Sequence, residues 1–372
     1  MKHTSDKPTI AIFSAFYMPW ESGAERFVRE VVDRLGERYH FVLFTTRNSR
    51  KMPKRENLRH GKLVRLGLGV KFDKWLFPFL APVAAFSLKP DLAHAIMESY
   101  AGMALMFYRF LRWKTPTILT LQSGDLDDAK KQRKIPYFLW KLIHISPSHI
   151  TAISRYLKER AARLGVSESR ISKIPNGVDL TEIQPLLSHQ RAKIPKRIVS
   201  VGRLSWEKGH EYLISAMPII RAHFGDAHLV IVGSGAEEEK LRNLVRALDL
   251  GGCVFFRGAL PHGRAMSEAA TAEIFVGPSL AEGLGIVFLE AQALGVPVVG
   301  TYVGGIPDAV ENEVTGLLVP PKDPQAIAEA IKRIWSDDEL AKRMVAAAKE
   351  RIKNFSWDKI TEQVSSLYDR YL

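Results

Sequence analysis

Short apolar runs alternate with longer stretches of helical period along nearly all of this 372-residue chain. In the first half, runs at 9–13, 40–45, 62–66, 91–95, 117–121, 149–152 and 171–174 read as strands. In the second half they fall at 197–201, 228–232, 254–257, 274–276 and 296–300. Most are apolar without alternation, the signature of parallel strands covered on both faces. The segments between them carry helical stripes. Phe27, Val28, Val31, Val32 and Leu35 recur at helical spacing within 25–35. Ser154 stands where it would cap a helix reaching Leu164, which Gly165 would end. Further helices are expected at 210–223, 237–248, 263–270, 286–294, 324–335, 338–352 and 356–371. Strand–helix alternation of this kind predicts two doubly wound α/β domains.

Length agrees, because 372 residues exceed one ordinary core. The expected division is a first domain over 1–183, a polar linker bounded by prolines over 184–195, and a second domain over 196–354. A last helix in 355–372 is expected to return to the first domain. Composition, 46% apolar and 25% charged, is globular and excludes a disordered or fibrous chain. The one cysteine, Cys253, cannot form an internal disulfide, which implies a reducing compartment; in its apolar run it reads as a small core hydrophobe. No Cys/His cluster has metal-ligand spacing. The first apolar run is too short for a signal-peptide core. The stretch 75–88 is broken by Pro78 and Pro82 and is too short to span a bilayer.

Charge changes the picture. Residues 1–180 carry a net +15 and residues 181–372 a net −2. One half therefore suits an anionic partner. Ten Lys and Arg lie in 47–74 against Glu56 and Asp73, and a second basic run begins at Lys130. Trp75, Phe77, Trp113 and Trp140 are interleaved with such cations, a mixture suited to a lipid headgroup boundary. The plainer alternative is that the aromatics are core and the cations a solvated face. No nucleic-acid motif is present. An anionic membrane surface, not nucleic acid, is the expected partner, with the protein cytoplasmic and peripheral on the membrane's inner face.

In open parallel sheets ligands bind beyond the carboxyl ends of strands. The loop Gly202-Arg203-Leu204-Ser205-Trp206-Glu207-Lys208-Gly209 follows a strand and offers two cations between glycines. A guanidinium fork and a compact ammonium together suit a diphosphate; two solvated surface charges are the alternative. The second such loop spans 278–285 and ends in a helix start at Gly285-Ile286-Val287. Glu282 lies in the loop and Glu290 one turn into the helix. The free N–H groups from Leu284 to Val287 make an anion site, and a carboxylate beside it accepts from sugar hydroxyls. Glu290 alone reads equally well as a carboxylate favoured by the helix dipole, and Glu282 as a surface residue. Neither alternative accounts for the glycines, the apolar helix start and both carboxylates together.

These motifs resemble glycosyltransferase family 4, the retaining enzymes of GT-B fold. Matches run in the family's order from Gly23-Ala24-Glu25 through Pro175-Asn176-Gly177-Val178-Asp179, the Arg203/Lys208 loop and Val232-Gly233-Ser234-Gly235 to Glu282, Glu290 and Gly304-Gly305-Ile306-Pro307-Asp308. The resemblance implies two Rossmann-like domains facing a central cleft. It implies that Arg203 and Lys208 hold the diphosphate of a UDP- or GDP-sugar, with Gly23 approaching it from the other domain. Glu282 and the backbone of Leu284, Gly285 and Ile286 would meet the sugar, Val287 N–H a phosphate, and Glu290 the ribose. No metal or other cofactor is implied. The acceptor, bound by the first domain, would be a glycan or a lipid-linked hydroxyl. One position departs: Gln122 stands where the family often has His, in Thr120-Leu121-Gln122-Ser123-Gly124-Asp125. An amide can position an acceptor but cannot titrate, which leaves Asp125 as a second acceptor-side candidate. His94 reads as a core or strand-end histidine. Other readings on the same fold are an epimerase, a phosphorylase, or a non-catalytic nucleotide-sugar-binding subunit.

Overall fold

The computed structural model describes residues 7–18, 22–124, 136–188 and 193–372. The chain divides into two compact units, Met1–Asn176 with Trp357–Leu372, and Gly177–Ser356. Leu180–Ser188, which overlaps the expected linker, is helical and belongs to the second unit.

The first unit is built on β1 (Thr9–Phe13), β2 (His40–Thr46), β3 (Arg55–Leu58), β4 (Gly61–Leu66), β5 (Leu92–Ile96), β6 (Thr117–Leu121), β7 (His149–Ala152) and β8 (Ile171–Lys173). Their order in the sheet is β3-β4-β2-β1-β5-β6-β7-β8. Every pair is parallel except β3 with β4. The hydrophobic pattern misses β3 because Arg55, Glu56 and Asn57 are exposed on an edge strand. The helices are α1 (Gly23–Leu35), α2 (Asp73–Leu88), α3 (Tyr100–Leu111), α4 (Tyr137–Ile145) and α5 (Arg155–Arg163). Ser154 caps α5 through its hydroxyl, which accepts from Leu157 N–H at 3.4 Å.

Helix α2 forms across Pro78 and Pro82, where a proline rule would end it. Both rings are buried, as are Phe77, Ala81 and Ala85 of the same face. Phe77, expected among the aromatics of a membrane-facing surface, is instead fully buried in α2's inner stripe.

The second unit is built on β9 (Arg197–Val201), β10 (His228–Val232), β11 (Val254–Phe256), β12 (Ile274–Gly277), β13 (Val298–Thr301) and β14 (Leu317–Val319). The sheet runs β11-β10-β9-β12-β13-β14 and is parallel throughout. Chain order reverses between β9 and β12, the switch point at which such sheets open a crevice. Around it lie α6 (Leu180–Ser188), α7 (His210–His223), α8 (Glu238–Ala247), α9 (His262–Ala270), α10 (Ile286–Ala293), α11 (Ile306–Ala309), α12 (Pro324–Ser336) and α13 (Asp338–Ile352). Cys253 sits in this unit's core.

The last helix, α14 (Trp357–Tyr371), belongs to the first unit. Trp357, Ile360, Val364, Leu367 and Tyr368 join Phe27, Val28 and Val31 of α1 in one core. Polar ties fix its position: Tyr39 donates to Asp369 at 2.6 Å, and Tyr368 hydroxyl meets His94 Nδ1 at 2.7 Å.

Candidate functional site

The loop after β9 is held against its neighbour after β10. Gly202 N–H donates to Val232 O and Leu204 N–H to Ser234 O, each at 3.0 Å. Gly233 has φ +142°, and a Cβ there would stand 1.8 Å from Gly202 O, so no other residue fits. The chain then makes a tight turn over Trp206–Lys208, passes Gly209 in the left-handed region, and enters α7. That turn is tied to the β12 loop. Glu207 O accepts from Leu280 N–H at 2.7 Å, and Lys208 Nζ donates to Glu282 Oε2 at 2.5 Å. Arg203 contacts Glu207 at 3.2 Å, yet its side chain is 73% exposed, so its guanidinium remains open to a ligand.

The β12 loop is shaped for the same place. Glu282 O accepts from Gly305 N–H at 2.9 Å, and a Cβ on Gly304 would lie 2.2 Å from that oxygen. The glycine pair after β13 is therefore the seat of Glu282. Gly285, left-handed at φ +85°, starts α10, and Leu284 is buried before it. The N–H groups at the head of α10, at Ile286 and Val287, carry the positive end of the helix dipole. Glu290 is buried one turn further on, and its Oε1 lies 2.7 Å from His262 Nε2. His262 opens α9, and its other nitrogen faces Glu182 of α6 at 3.6 Å. His210, buried beside this loop, is pushed down to about 4 by burial and then by the charge of Lys208. It is neutral near pH 7.

Arg203, Lys208, Glu282, Leu284, Gly285, Ile286, Val287 and Glu290 thus all stand in the loops and helix start at the carboxyl ends of β9 and β12. Sequence reading missed Glu207, His262 and Glu182. His262 and Glu290 are 28 residues apart with no motif between them, so only the fold pairs them. The arrangement offers cations and N–H donors for a diphosphate, and carboxylates that accept from hydroxyls.

The other candidates lie in the first unit. Gly23 begins α1, whose capping position is Ser22; Ser22 N–H donates to Glu25 Oε2 at 2.8 Å. Gln122 and Asn176 exchange two amide hydrogen bonds, at 3.1 and 2.8 Å. Gln122 N–H also donates to Glu98 at 3.2 Å, a fully buried carboxylate paired with Arg160. The amide is thereby fixed in place at the end of β6. Asp125 lies outside the described residues, as do 19–21 of the glycine loop and the basic run 130–134. His94 is a core histidine: its Nε2 meets Thr120 Oγ1 at 2.6 Å, and burial pushes it down to about 3. Among the described residues, no group of three or more His, Cys, Asp or Glu is placed to hold a metal ion.

Comparison with known proteins shows similarity along most of the chain. The model of Glycosyltransferase Family 4 matches residues 22–182, and that of Glycosyl transferases group 1 matches 188–351. The D-inositol 3-phosphate glycosyltransferase of Corynebacterium glutamicum is 33% identical over 79% of this chain and 76% of its own. The GDP-mannose-dependent alpha-(1-6)-phosphatidylinositol monomannoside mannosyltransferase of Mycobacterium tuberculosis is 32% identical over 58% of this chain and 60% of its own. Among solved structures, sucrose-phosphate synthase from Thermosynechococcus elongatus superposes with a TM-score of 0.82 at 27% identity, covering 98% of this chain and 99% of that one. The chain spans 58 to 69% of the length of several of the curated relatives it matches. Two Rossmann-like units of this kind define the GT-B glycosyltransferases. The chain belongs to glycosyltransferase family 4.

Proposed function

We propose that this protein moves a sugar from a nucleoside-diphosphate-sugar to a hydroxyl acceptor, with retention of anomeric configuration and without a metal. The observation that carries the reading is the joined pair of loops at β9 and β12, with Lys208 bonded to Glu282 and Arg203 open beside them. In the reaction the anomeric carbon–phosphate oxygen bond breaks and a bond to the acceptor oxygen forms on the same face. The acceptor's proton goes to the leaving diphosphate, so Gln122 need not titrate. Arg203, Lys208 and Val287 N–H stabilise the charge that develops on the diphosphate, a role preorganised donors fill at little reorganisation cost. Glu282, with the backbone of Leu284, Gly285 and Ile286, holds the sugar. Glu290 accepts from the ribose hydroxyls, with His262 positioning its carboxylate. Gln122 orients the acceptor, as would Asp125.

The acceptor is a lipid-linked or membrane-associated glycan. Two observations support this: the net +15 of residues 1–180, and a relative named for transfer to a phosphatidylinositol mannoside. The protein works from the cytoplasm at the inner face of an anionic membrane, with no nucleic-acid partner. The division of labour gives the first unit to the acceptor and the second to the donor.

The test is a thermal-shift screen with UDP- and GDP-sugars, followed by transfer assays with a chelator present. A ligand at 100 times its dissociation constant adds about 2.7 kcal/mol of stability. Arg203→Ala, Lys208→Ala and Glu290→Ala should each weaken donor binding by about 1.5 to 3 kcal/mol. Glu282→Ala should retain the bare nucleoside diphosphate while losing turnover. Unchanged donor binding in all three variants would refute the site, and activity lost to a chelator and restored by a divalent ion would refute metal independence.

A further inference from the structure

Helix α2 is apolar on both sides. Its inner stripe, Phe77, Ala81 and Ala85, is fully buried. Its outer stripe, Trp75, Phe79, Val83 and Phe86, recurs at helical spacing and is 44 to 64% exposed, continuing from Phe72 just before the helix. A helix apolar all round is ordinarily buried all round; this one is covered on one side only. The outer stripe does not stop at the helix edge. Phe79 stacks on Phe107 of α3 at 5.3 Å, and Trp75 meets Tyr100 edge-on at 5.3 Å. At the far end of α3, Phe110 and Trp113 are 66% and 69% exposed. Monomeric proteins seldom expose so many joined aromatics without a partner for them.

The segment that carries this face is predominantly basic. From Gly67 to Pro116 the chain has Lys71, Lys74, Lys89, Arg109, Arg112 and Lys114 against Asp73, Asp91 and Glu98. Two of those acids are turned inward: Asp73 is buried and accepts from Leu68, Gly69 and Val70 N–H at 2.7 to 3.1 Å, and Glu98 is paired with Arg160. Two of the cations lie on the aromatics themselves. Arg112 stands over Phe86 at 4.5 Å and Lys114 over Trp113 at 5.3 Å. Aromatics that can enter an acyl boundary, set among cations that reach phosphate, are the two components of interfacial binding. A basic loop alone would supply only the second.

We infer that the outer face of α2 and α3 is the lipid-docking surface of this protein, taking the headgroup–acyl boundary of an anionic bilayer. The inference deepens the membrane reading given under Proposed function and rests on it. It places the contact on the apolar face of α2 and α3, and not on the exposed basic segment that holds Arg50, Lys51, Lys54 and Arg55.

Vesicle sedimentation of the full-length protein tests it, with phosphatidylcholine alone and with added phosphatidylglycerol. The wild type should bind the anionic vesicles, less so as salt rises. The variant with Trp75→Ser, Phe79→Ser and Val83→Ser should lose binding by about tenfold or more, since the centre of the apolar stripe is then removed. Replacing Arg50, Lys51, Lys54 and Arg55 by Ser should cost less. All substituted side chains are exposed, and an unchanged thermal unfolding profile would confirm that each variant folds. If the wild type shows no anionic preference, the membrane reading itself falls. If the wild type binds and the triple variant binds equally, that reading stands and this surface is wrong. A wild type that sediments as a dimer, with a monomeric triple variant, would assign the face to a second copy of the chain and overturn the inference.

Discussion

The two units are both parallel sheets wrapped by helices, yet they bury different chemistry. Inside the first, a polar chain crosses the sheet from Tyr368 through His94 and Thr120 to Thr151, with contacts of 2.6 to 2.7 Å. A second joins Tyr371, His149 and Ser172. Both begin on α14, so the end of the chain completes a core that starts near residue 9. In the second unit, the buried Glu207, His210, Ser279 and Glu290 lie instead in the loops and helix starts beyond the strands. Of these groups, those of the first unit hold α14 in place, and those of the second shape the strand-end loops. The outsides differ too: exposed apolar helix faces mark the first unit, and glycine-bearing strand-end loops mark the second.

The comparison can be broken by removing what ties α14 down. Trp357 is 1% exposed and packs edge-on against Phe27. Trp357→Ala should cost about 3 to 5 kcal/mol, as for other buried aromatics. Hydrogen exchange should show the loss in β1 and β5, while β9 and β12 keep their protection. Equal loss in both units would mean that they fold as one cooperative body.

Acid sharpens the same contrast with a smaller effect. Burial pushes His94 down to about 3 and His144 and His149 to about 4, all in the first unit, and His210 of the second to about 4. For each of them burial is the first cause. A lowered folded value means that the unfolded chain binds a proton the folded chain refuses. Stability from these groups is therefore complete above about pH 6.5 and falls as pH drops toward 4. The loss is weighted toward the first unit, which holds three of the four. Exchange measured at pH 7 and pH 5 should show the first unit losing protection first; the reverse order would count against the buried histidines as the cause.

Much of the framework could be read from the chain because each signal was local. The runs at β1, β6, β7, β9 and β10 were placed to the residue, since continuous apolar strands announce themselves. The Arg203/Lys208 and Glu282/Glu290 spacings marked the loops that the sheet then brought together. What was missed needed distance or context. Edge strand β3 is polar, and α2 persists through two prolines because neighbouring packing outweighs local propensity. The His262–Glu290 and Gln122–Asn176 pairs join residues 28 and 54 positions apart, with no periodicity to foretell them. Phe77 and Trp75 are two residues apart in one apolar run, and only the helix sorted one inward and the other outward.

The central claim is that the donor is held by the second unit's strand-end loops. It is tested most directly by hydrogen exchange of the full-length protein with and without a saturating UDP- or GDP-sugar chosen from the thermal-shift screen. The account predicts new protection in 202–209 and 282–290, reduced in Glu290→Ala at the same ligand concentration. Saturating ligand that protects neither segment, with protection confined to the first unit, would contradict it.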